Sequence, residues 1–133
     1  MSASEYRPLE LVLVTYHEGL VKIAEMKEGA GSLYQKLAAV VWLAPHDIEL
    51  LGVNAGRPVE LRSAAGSIVV RAKSDPNAKP GMGYMPFSLY SLSLSSYEPA
   101  KGRLPNFKRI EAIAVATNRD ITPIAEIQGG RIA

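Results

Sequence analysis

Cysteine is absent from this chain of 133 residues. The absence excludes disulfide bonds, thiolate zinc sites and iron–sulfur clusters held by the chain's own side chains. Any iron–sulfur cluster in a working enzyme would therefore belong to another subunit. The two histidines, His17 and His46, are far apart in the sequence and stand in no metal-ligand pattern, so they are weak evidence for a metal site. We expect the chain to bind no metal ion through its own side chains.

Motifs of self-contained catalysis are also missing. The sequence has no Gly-x-x-x-x-Gly-Lys-Ser/Thr loop, no His-Glu-x-x-His pattern and no serine flanked by glycines in a nucleophile elbow. Gly81-Met82-Gly83 lacks the strand, loop and helix that surround a dinucleotide fingerprint. We therefore expect no catalytic residue in this chain alone.

Long hydrophobic runs are missing too. The longest, residues 37–45, is far shorter than the roughly 20 residues that a membrane-spanning helix needs. Residues 1–5 lack the basic start and apolar core of a secretion signal. These features predict a cytoplasmic protein without a membrane partner. With 47% hydrophobic and 21% charged residues, the chain is expected to form one globular domain over 1–133, with its core at about 9–124.

The charge is unevenly distributed, although the formal net charge is only +2. Residues 1–50 carry four basic and seven acidic side chains, whereas residues 51–133 carry eleven basic and six acidic ones. A basic second part suits a phosphate-bearing ligand or an acidic partner surface, and an ordinary solvated face explains it equally well. Because the basic residues are scattered along the chain, they do not favour a nucleic acid partner.

Hydrophobic patterning predicts mostly short strands. Residues 9–16 are rich in Leu and Val, which indicates a strand buried on most sides. The other predicted strands are residues 38–43, a hairpin of residues 58–63 and 68–73 around Ala65-Gly66, a brief strand at 82–87 interrupted by Pro86, and residues 110–117. In the last strand Ala112, Ala114 and Ala116 share one face, which indicates close packing inside a barrel.

Helix and loop signals fill the rest. Three short helices are predicted. The first covers residues 20–27, and the second begins at Ser32, where Ser32-x-x-Gln35 is typical of a capping box. The third begins at Pro45 and ends at Gly52. Residues 74–81 are predicted as a loop, and the serine-rich residues 88–103 as a long irregular loop. Several short strands with little helix predict a mainly β fold closed into a barrel.

Four segments in order resemble a known family. They are the strand leading into residues 15–18 (Thr-Tyr-His-Glu), the hairpin at residues 51–70, Met85-Pro86, and residues 104–108 (Leu-Pro-Asn-Phe-Lys). This order resembles the pterin-dinucleotide-binding domain of the dimethyl sulfoxide reductase class of molybdenum and tungsten oxidoreductases. Within that class the chain looks most like the small separate subunit of archaeal formylmethanofuran dehydrogenase.

The resemblance implies a double-psi β-barrel that covers one side of a molybdopterin or tungstopterin guanine dinucleotide. It also implies a non-catalytic subunit that shares this cofactor with a larger catalytic oxidoreductase subunit. By the same analogy, the substrate of such a complex would be carbon dioxide or a formyl carrier. The cofactor-binding residues that it implies are Thr15, Tyr16, His17, Glu18, Pro86, Ser88, Tyr90, Ser91, Ser93, Pro105, Asn106 and Lys108.

Individual roles follow from the resemblance in the same way. His17 stands where the family has an Arg donor, and Ser91 or Ser93 would take the place of an Asn. Lys108 would meet a phosphate or a pterin carbonyl, and Tyr90 is the candidate for stacking on the ligand. Phe87 and Phe107 are expected to anchor the core or a loop, as two further residues outside the ligand set.

Two other functions stay open. The barrel would serve as a protein-interaction or adaptor module if its cofactor had been lost. It would alternatively be a stand-alone enzyme similar to aspartate decarboxylase, which processes itself at a Gly-Ser bond; Gly66-Ser67 is such a pair. Because Gly-Ser is also ordinary turn chemistry, a hairpin explains the pair equally simply.

Overall fold

The computed structural model describes residues 8–17, 19, 32–95 and 109–127. Within them the elements follow as β1 (Leu9–Tyr16), α1 (Ser32–Ala38), β2 (Val40–Leu43), α2 (Pro45–Leu51), β3 (Pro58–Ser63), β4 (Gly66–Ser74), β5 (Met82–Pro86), α3 (Leu89–Leu94) and β6 (Ile110–Ala116). No helix in these ranges is both long and apolar enough to cross a membrane. The predicted helix at residues 20–27 lies outside the described residues.

The six strands form a closed barrel in the order β1-β5-β2-β4-β3-β6. β1 pairs with β5 and β2 with β4 in parallel, and the remaining neighbours are antiparallel. β1, β3 and β5 therefore run in one direction and end at the same end of the barrel. We call this end the rim, marked by Tyr16, Ser63 and Pro86. The fold is a double-psi β-barrel, mainly β with short helices, as predicted.

The barrel interior is filled by alternate side chains of each strand, because successive residues of a strand point to opposite faces. β6 shows the pattern clearly: Ala112 and Ala114 are buried, whereas Ile113 is 41% exposed. The predicted small-residue face of this strand is thus confirmed. The interior residues are Leu11, Leu13, Val41, Leu43, Val59, Leu61, Ile68, Val70, Ala72, Met85, Ile110, Ala112 and Ala114.

Gly83 lets three strands approach closely inside the barrel. A Cβ at this position would lie 2.8 Å from Leu13 Cδ2, 2.9 Å from Val41 Cγ2 and 3.3 Å from Leu43 Cδ2. Those three side chains are fully buried, and real Cβ atoms essentially never come closer than about 3 Å to such neighbours. Glycine at position 83 of β5 is therefore required for β1 and β2 to pack this closely.

The helix predicted from Pro45 is confirmed, and it ends where expected. Gly52 adopts φ 72°, the left-handed conformation that glycine favours, and its N–H donates to Glu49 O. Asp47 is only 2% exposed, and its Oδ2 accepts a hydrogen bond of 2.8 Å from the Gly81 N–H. This bond attaches α2 to the loop that enters β5.

Three sequence predictions need correction. Residues 88–103 were expected to be one long loop, but α3 occupies Leu89–Leu94 because Ser88 caps it and Tyr90 and Leu94 are buried. β1 is not buried on most sides: Leu11 and Leu13 are buried, but the residues between and around them are exposed or half-buried. β2 begins at Val40, because Ala38 still ends α1.

The predicted hairpin forms, but its turn lies one residue earlier than the expected Ala65-Gly66. Ser63 pairs with Gly66 and Arg62 with Ser67, so Ala64 and Ala65 form the turn. Gly66-Ser67 therefore opens an ordinary antiparallel strand.

We expect Gly83→Ala to lower the free energy of unfolding by about 1–3 kcal/mol, because the added methyl overfills the interior between β1 and β2. Chemical denaturation monitored by circular dichroism would measure the change. Gly19→Ala is the matched control, since a Cβ there meets nothing within 4 Å. Equal stability of the two variants would contradict the packing account of Gly83.

Candidate functional site

The rim brings together two segments that are distant in the sequence. In the parallel pair β1·β5, Tyr16 is in register with Pro86, and the Phe87 N–H donates to Tyr16 O at 2.7 Å. The predicted site residues Thr15, Tyr16 and His17 thus lie directly beside the segment that continues from Pro86. The arrangement follows from strand direction, because parallel partners end on the same side.

His17 and Phe87 form the accessible part of this juncture. Their ring centroids are 5.3 Å apart with an interplanar angle of 43°, a tilted aromatic contact. His17 is exposed, and Phe87 is half-buried, which agrees with its expected role as a loop anchor. The contact places the exposed imidazole at the rim.

Tyr16 is positioned from the outer wall of the barrel by a residue that sequence reasoning missed. Trp42 Nε1 donates a hydrogen bond of 3.0 Å to the Tyr16 hydroxyl oxygen. Lys73 Nζ lies 5.5 Å from the centroid of the Trp42 ring, within the range of a cation–π contact. The strand sequence carried no signal for this pair, because it depends on which strands β2 is placed between.

The predicted serines are engaged within α3. Ser88 Oγ accepts from the N–H groups of Tyr90 and Ser91, and Ser91 Oγ accepts from the Ser88 N–H, which makes a capping box. Ser88 is 5% exposed and Ser91 is 1% exposed. Ser93 Oγ donates to Tyr90 O at 2.6 Å. These serines position the helix, and a ligand contact from Ser91 or Ser93 stays a prediction.

Tyr90 does not offer a ring face for stacking. Its side chain is fully buried, and its hydroxyl donates to Thr122 O at 2.6 Å. Burial raises the pKa of Tyr90 above its usual value, and the neighbouring Tyr34 adds to the increase. The sequence predicted a stacking residue here because the segment was interpreted as an exposed loop.

α3 is held across the rim at both ends. The Leu89 N–H donates to the Tyr34 hydroxyl oxygen at 2.9 Å, which connects the start of α3 to α1. Ser63 Oγ donates to Leu94 O at 2.6 Å, which connects its end to the last residue of β3. The helix therefore closes the barrel beside the Tyr16–Pro86 juncture.

The remaining predicted site residues, Glu18, Pro105, Asn106 and Lys108, lie outside the described residues, as does Phe107. His46 is exposed in α2, an element that follows β2 and so lies away from the rim. Among the described residues there is no group of three or more His, Cys, Asp or Glu side chains that could hold a metal ion.

Comparison with known proteins assigns the chain to a family. The family model described as "Molydopterin dinucleotide binding domain" matches residues 11–130, which is nearly the whole barrel. The chain belongs to this family. The membership confirms the resemblance based on the rim segments and the hairpin.

Two curated relatives match the chain at modest identity. Protein FwdD of Methanocaldococcus jannaschii is 34% identical over 77 residues, which cover 57% of this chain and 58% of FwdD. The F420-dependent formate dehydrogenase 1 subunit alpha of Methanococcus maripaludis is 32% identical over 91 residues, or 65% of this chain and 13% of that protein. The chain thus spans less than two thirds of either relative's length.

One solved structure shows the same fold at low identity. Acetylene hydratase from Pelobacter acetylenicus aligns with 86% of this chain and 19% of its own length, with a TM-score of 0.62 and 20% identity. The likeness supports the barrel architecture, and at this identity it carries no further conclusion.

We expect Tyr90→Phe to change how stability depends on pH. A raised pKa keeps folded Tyr90 neutral while the unfolded chain ionises above about pH 10, so the wild type loses about 1 kcal/mol between pH 8 and pH 11 through this group. The variant lacks that loss, but at pH 8 it is less stable by about 1 kcal/mol because Thr122 O loses its donor. Denaturant titrations at both pH values measure the two effects.

Tyr84→Phe is the control. Among the described residues, the Tyr84 hydroxyl donates only a long hydrogen bond of 3.8 Å to Met82 Sδ, and the Tyr84 side chain is half-buried. It should leave stability at pH 8 nearly unchanged. An unaltered loss of stability towards pH 11 in Tyr90→Phe would show that Tyr90 ionises equally well in the folded chain.

Proposed function

We propose that this chain is a non-catalytic subunit that binds a molybdopterin or tungstopterin guanine dinucleotide in a molybdenum or tungsten oxidoreductase. One observation carries the proposal: in a chain of the dinucleotide-binding family, the predicted residues Thr15, Tyr16 and His17 meet Pro86 and Phe87 at one end of the barrel. A shared rim of two segments is the geometry that a single large ligand requires.

The side chains at this rim fit the chemistry of such a ligand. A pterin has a flat ring edged with hydrogen-bond donors and acceptors, and the dinucleotide adds a pyrophosphate. Thr15 and Tyr16 carry hydroxyl groups, and His17 carries an exposed imidazole that can donate a hydrogen bond. When bound, the pterin-held metal would supply the redox chemistry. The residues of this chain would bind and orient one side of the group.

A larger partner subunit is part of the proposal. The match to the formate dehydrogenase subunit alpha covers only 13% of that protein, so there the barrel is a small part of a long chain. FwdD is matched over 58% of its length. By analogy with these two relatives, we propose that the remaining cofactor contacts come from a larger catalytic subunit. The substrate would be carbon dioxide or a formyl carrier.

A specific observation supports a second candidate function. Ser88, Tyr90, Ser91 and Ser93 use their hydroxyl groups within the fold, although the family resemblance placed them at the ligand. An adaptor barrel that has lost its cofactor and keeps only its partner contacts would show this pattern. The two functions differ in cofactor content, which is measurable.

The decisive experiment purifies the tagged chain with its co-expressed partner and measures cofactor content. Molybdenum and tungsten are quantified by mass spectrometry, and the pterin by fluorescence after oxidative release. We expect stoichiometric metal and guanine dinucleotide in the wild-type complex. His17→Ala should weaken cofactor retention by about tenfold, because a charge-assisted hydrogen bond is worth about 1.5–3 kcal/mol.

His46→Ala is the matched control, since this second exposed histidine lies in α2, away from the rim. It should retain the cofactor as the wild type does. A metal-free, pterin-free complex with an intact partner would overturn cofactor binding and support the adaptor. Equal cofactor loss in both variants would show that His17 does not contribute specifically to cofactor binding.

A further inference from the structure

A second polar site lies on the barrel wall, built from a different set of residues. It is a cleft of about 420 Å³ between α1, the start of β3, the middle of β4 and the segment after β6. Its polar lining consists of Gln35, Arg57, Arg71, Asn118, Arg119 and Asp120. None of these residues belongs to the rim.

The two central arginines are placed by hydrogen-bonded backbone. Arg71 is on the outward face of β4, where it pairs with Pro58, and its N–H donates to Ala39 O at 2.9 Å. Arg57 precedes β3, and its carbonyl oxygen accepts from the Ala72 N–H at 2.9 Å. The backbone thus places both side chains at one opening.

Both of these arginines lack a carboxylate partner in the described part of the chain. Arg71 Nη1 donates only to Gly56 O, at 3.1 Å, and the Arg57 side chain makes no hydrogen bond or ion pair there. Arg119 differs, because its Nη1 lies 3.1 Å from Oε2 of the buried Glu60. The unbalanced positive charge of the cleft therefore comes from Arg57 and Arg71.

The cleft is open and polar, and this decides what it would bind. Pockets for small molecules are mostly apolar and bury most of their ligand, whereas all three arginines here are exposed. Arginine forks match carboxylates in pairs of parallel hydrogen bonds and are enriched at protein interfaces. The amide groups of Gln35 and Asn118 add further donors beside them.

We propose that this cleft is a docking site for an acidic, Asp- or Glu-bearing segment of a partner protein. Charge complementarity selects the partner: Arg57 and Arg71 attract carboxylates, and Asp120 limits how many carboxylates the cleft accepts. The proposal is independent of cofactor binding, since no rim residue lines the cleft.

The test measures binding of fluorescently labelled hexaglutamate to the full chain at low ionic strength, by anisotropy. Arg57→Gln should weaken binding about three- to fivefold, the size expected for one exposed Arg–carboxylate pair. Lys79→Gln removes the same charge from an exposed position outside the cleft and should change binding by less than about twofold. Asp120→Asn should strengthen binding, because it removes a like charge.

Two further arms distinguish carboxylate docking in the cleft from phosphate binding and from attraction by net charge. His17→Ala should bind the peptide as the wild type does, which keeps the outcome distinct from that of the cofactor experiment. Inorganic pyrophosphate is the competing probe: if it binds more tightly than hexaglutamate, and Arg57→Gln weakens that binding while His17→Ala does not, the cleft is assigned to a phosphate ligand and the proposal is overturned. Equal weakening by Arg57→Gln and Lys79→Gln would overturn it too, since binding would then follow net charge alone.

Discussion

The parallel pairing of β1 with β5 is the interaction on which both the barrel and the candidate site depend. It closes the ladder between the N-terminal strand and a strand late in the sequence, and it requires glycine at position 83, where β1, β2 and β5 crowd together. The same pairing ends with Phe87 N–H bound to Tyr16 O. The same strand pairing therefore both closes the barrel and brings the rim residues together.

α3 shows how polar residues are divided between structure and ligand. Its serines and Tyr90 resemble a binding loop in composition, yet they cap the helix, return hydrogen bonds to the backbone and fill the barrel end. Burial gives these hydroxyl groups backbone partners, since an unpaired buried polar group is costly. His17, which follows β1 at the rim, is exposed and packs on Phe87.

The rim and the arginine cleft occupy different parts of the barrel surface. The rim lies at the carboxyl ends of parallel strands, and the cleft lies on the outer wall beside α1 and the segment after β6. The two proposals, a cofactor at the rim and an acidic partner segment at the cleft, therefore use separate surfaces of the barrel. The uneven charge along the sequence is consistent with this division, because the arginines of the cleft all belong to the basic second part.

Local chemistry in the sequence determined the hairpin at Gly66, the helix from Pro45 to its glycine stop at Gly52, and the small inner face of β6, because turns, caps and strand alternation act over a few residues. Motif order also determined the family. Only the tertiary structure decided that Tyr90 is buried, that Trp42 supports Tyr16, and that Arg57 and Arg71 share an opening. These features depend on which strands become neighbours across the closed barrel, and that choice is made by packing of the whole interior.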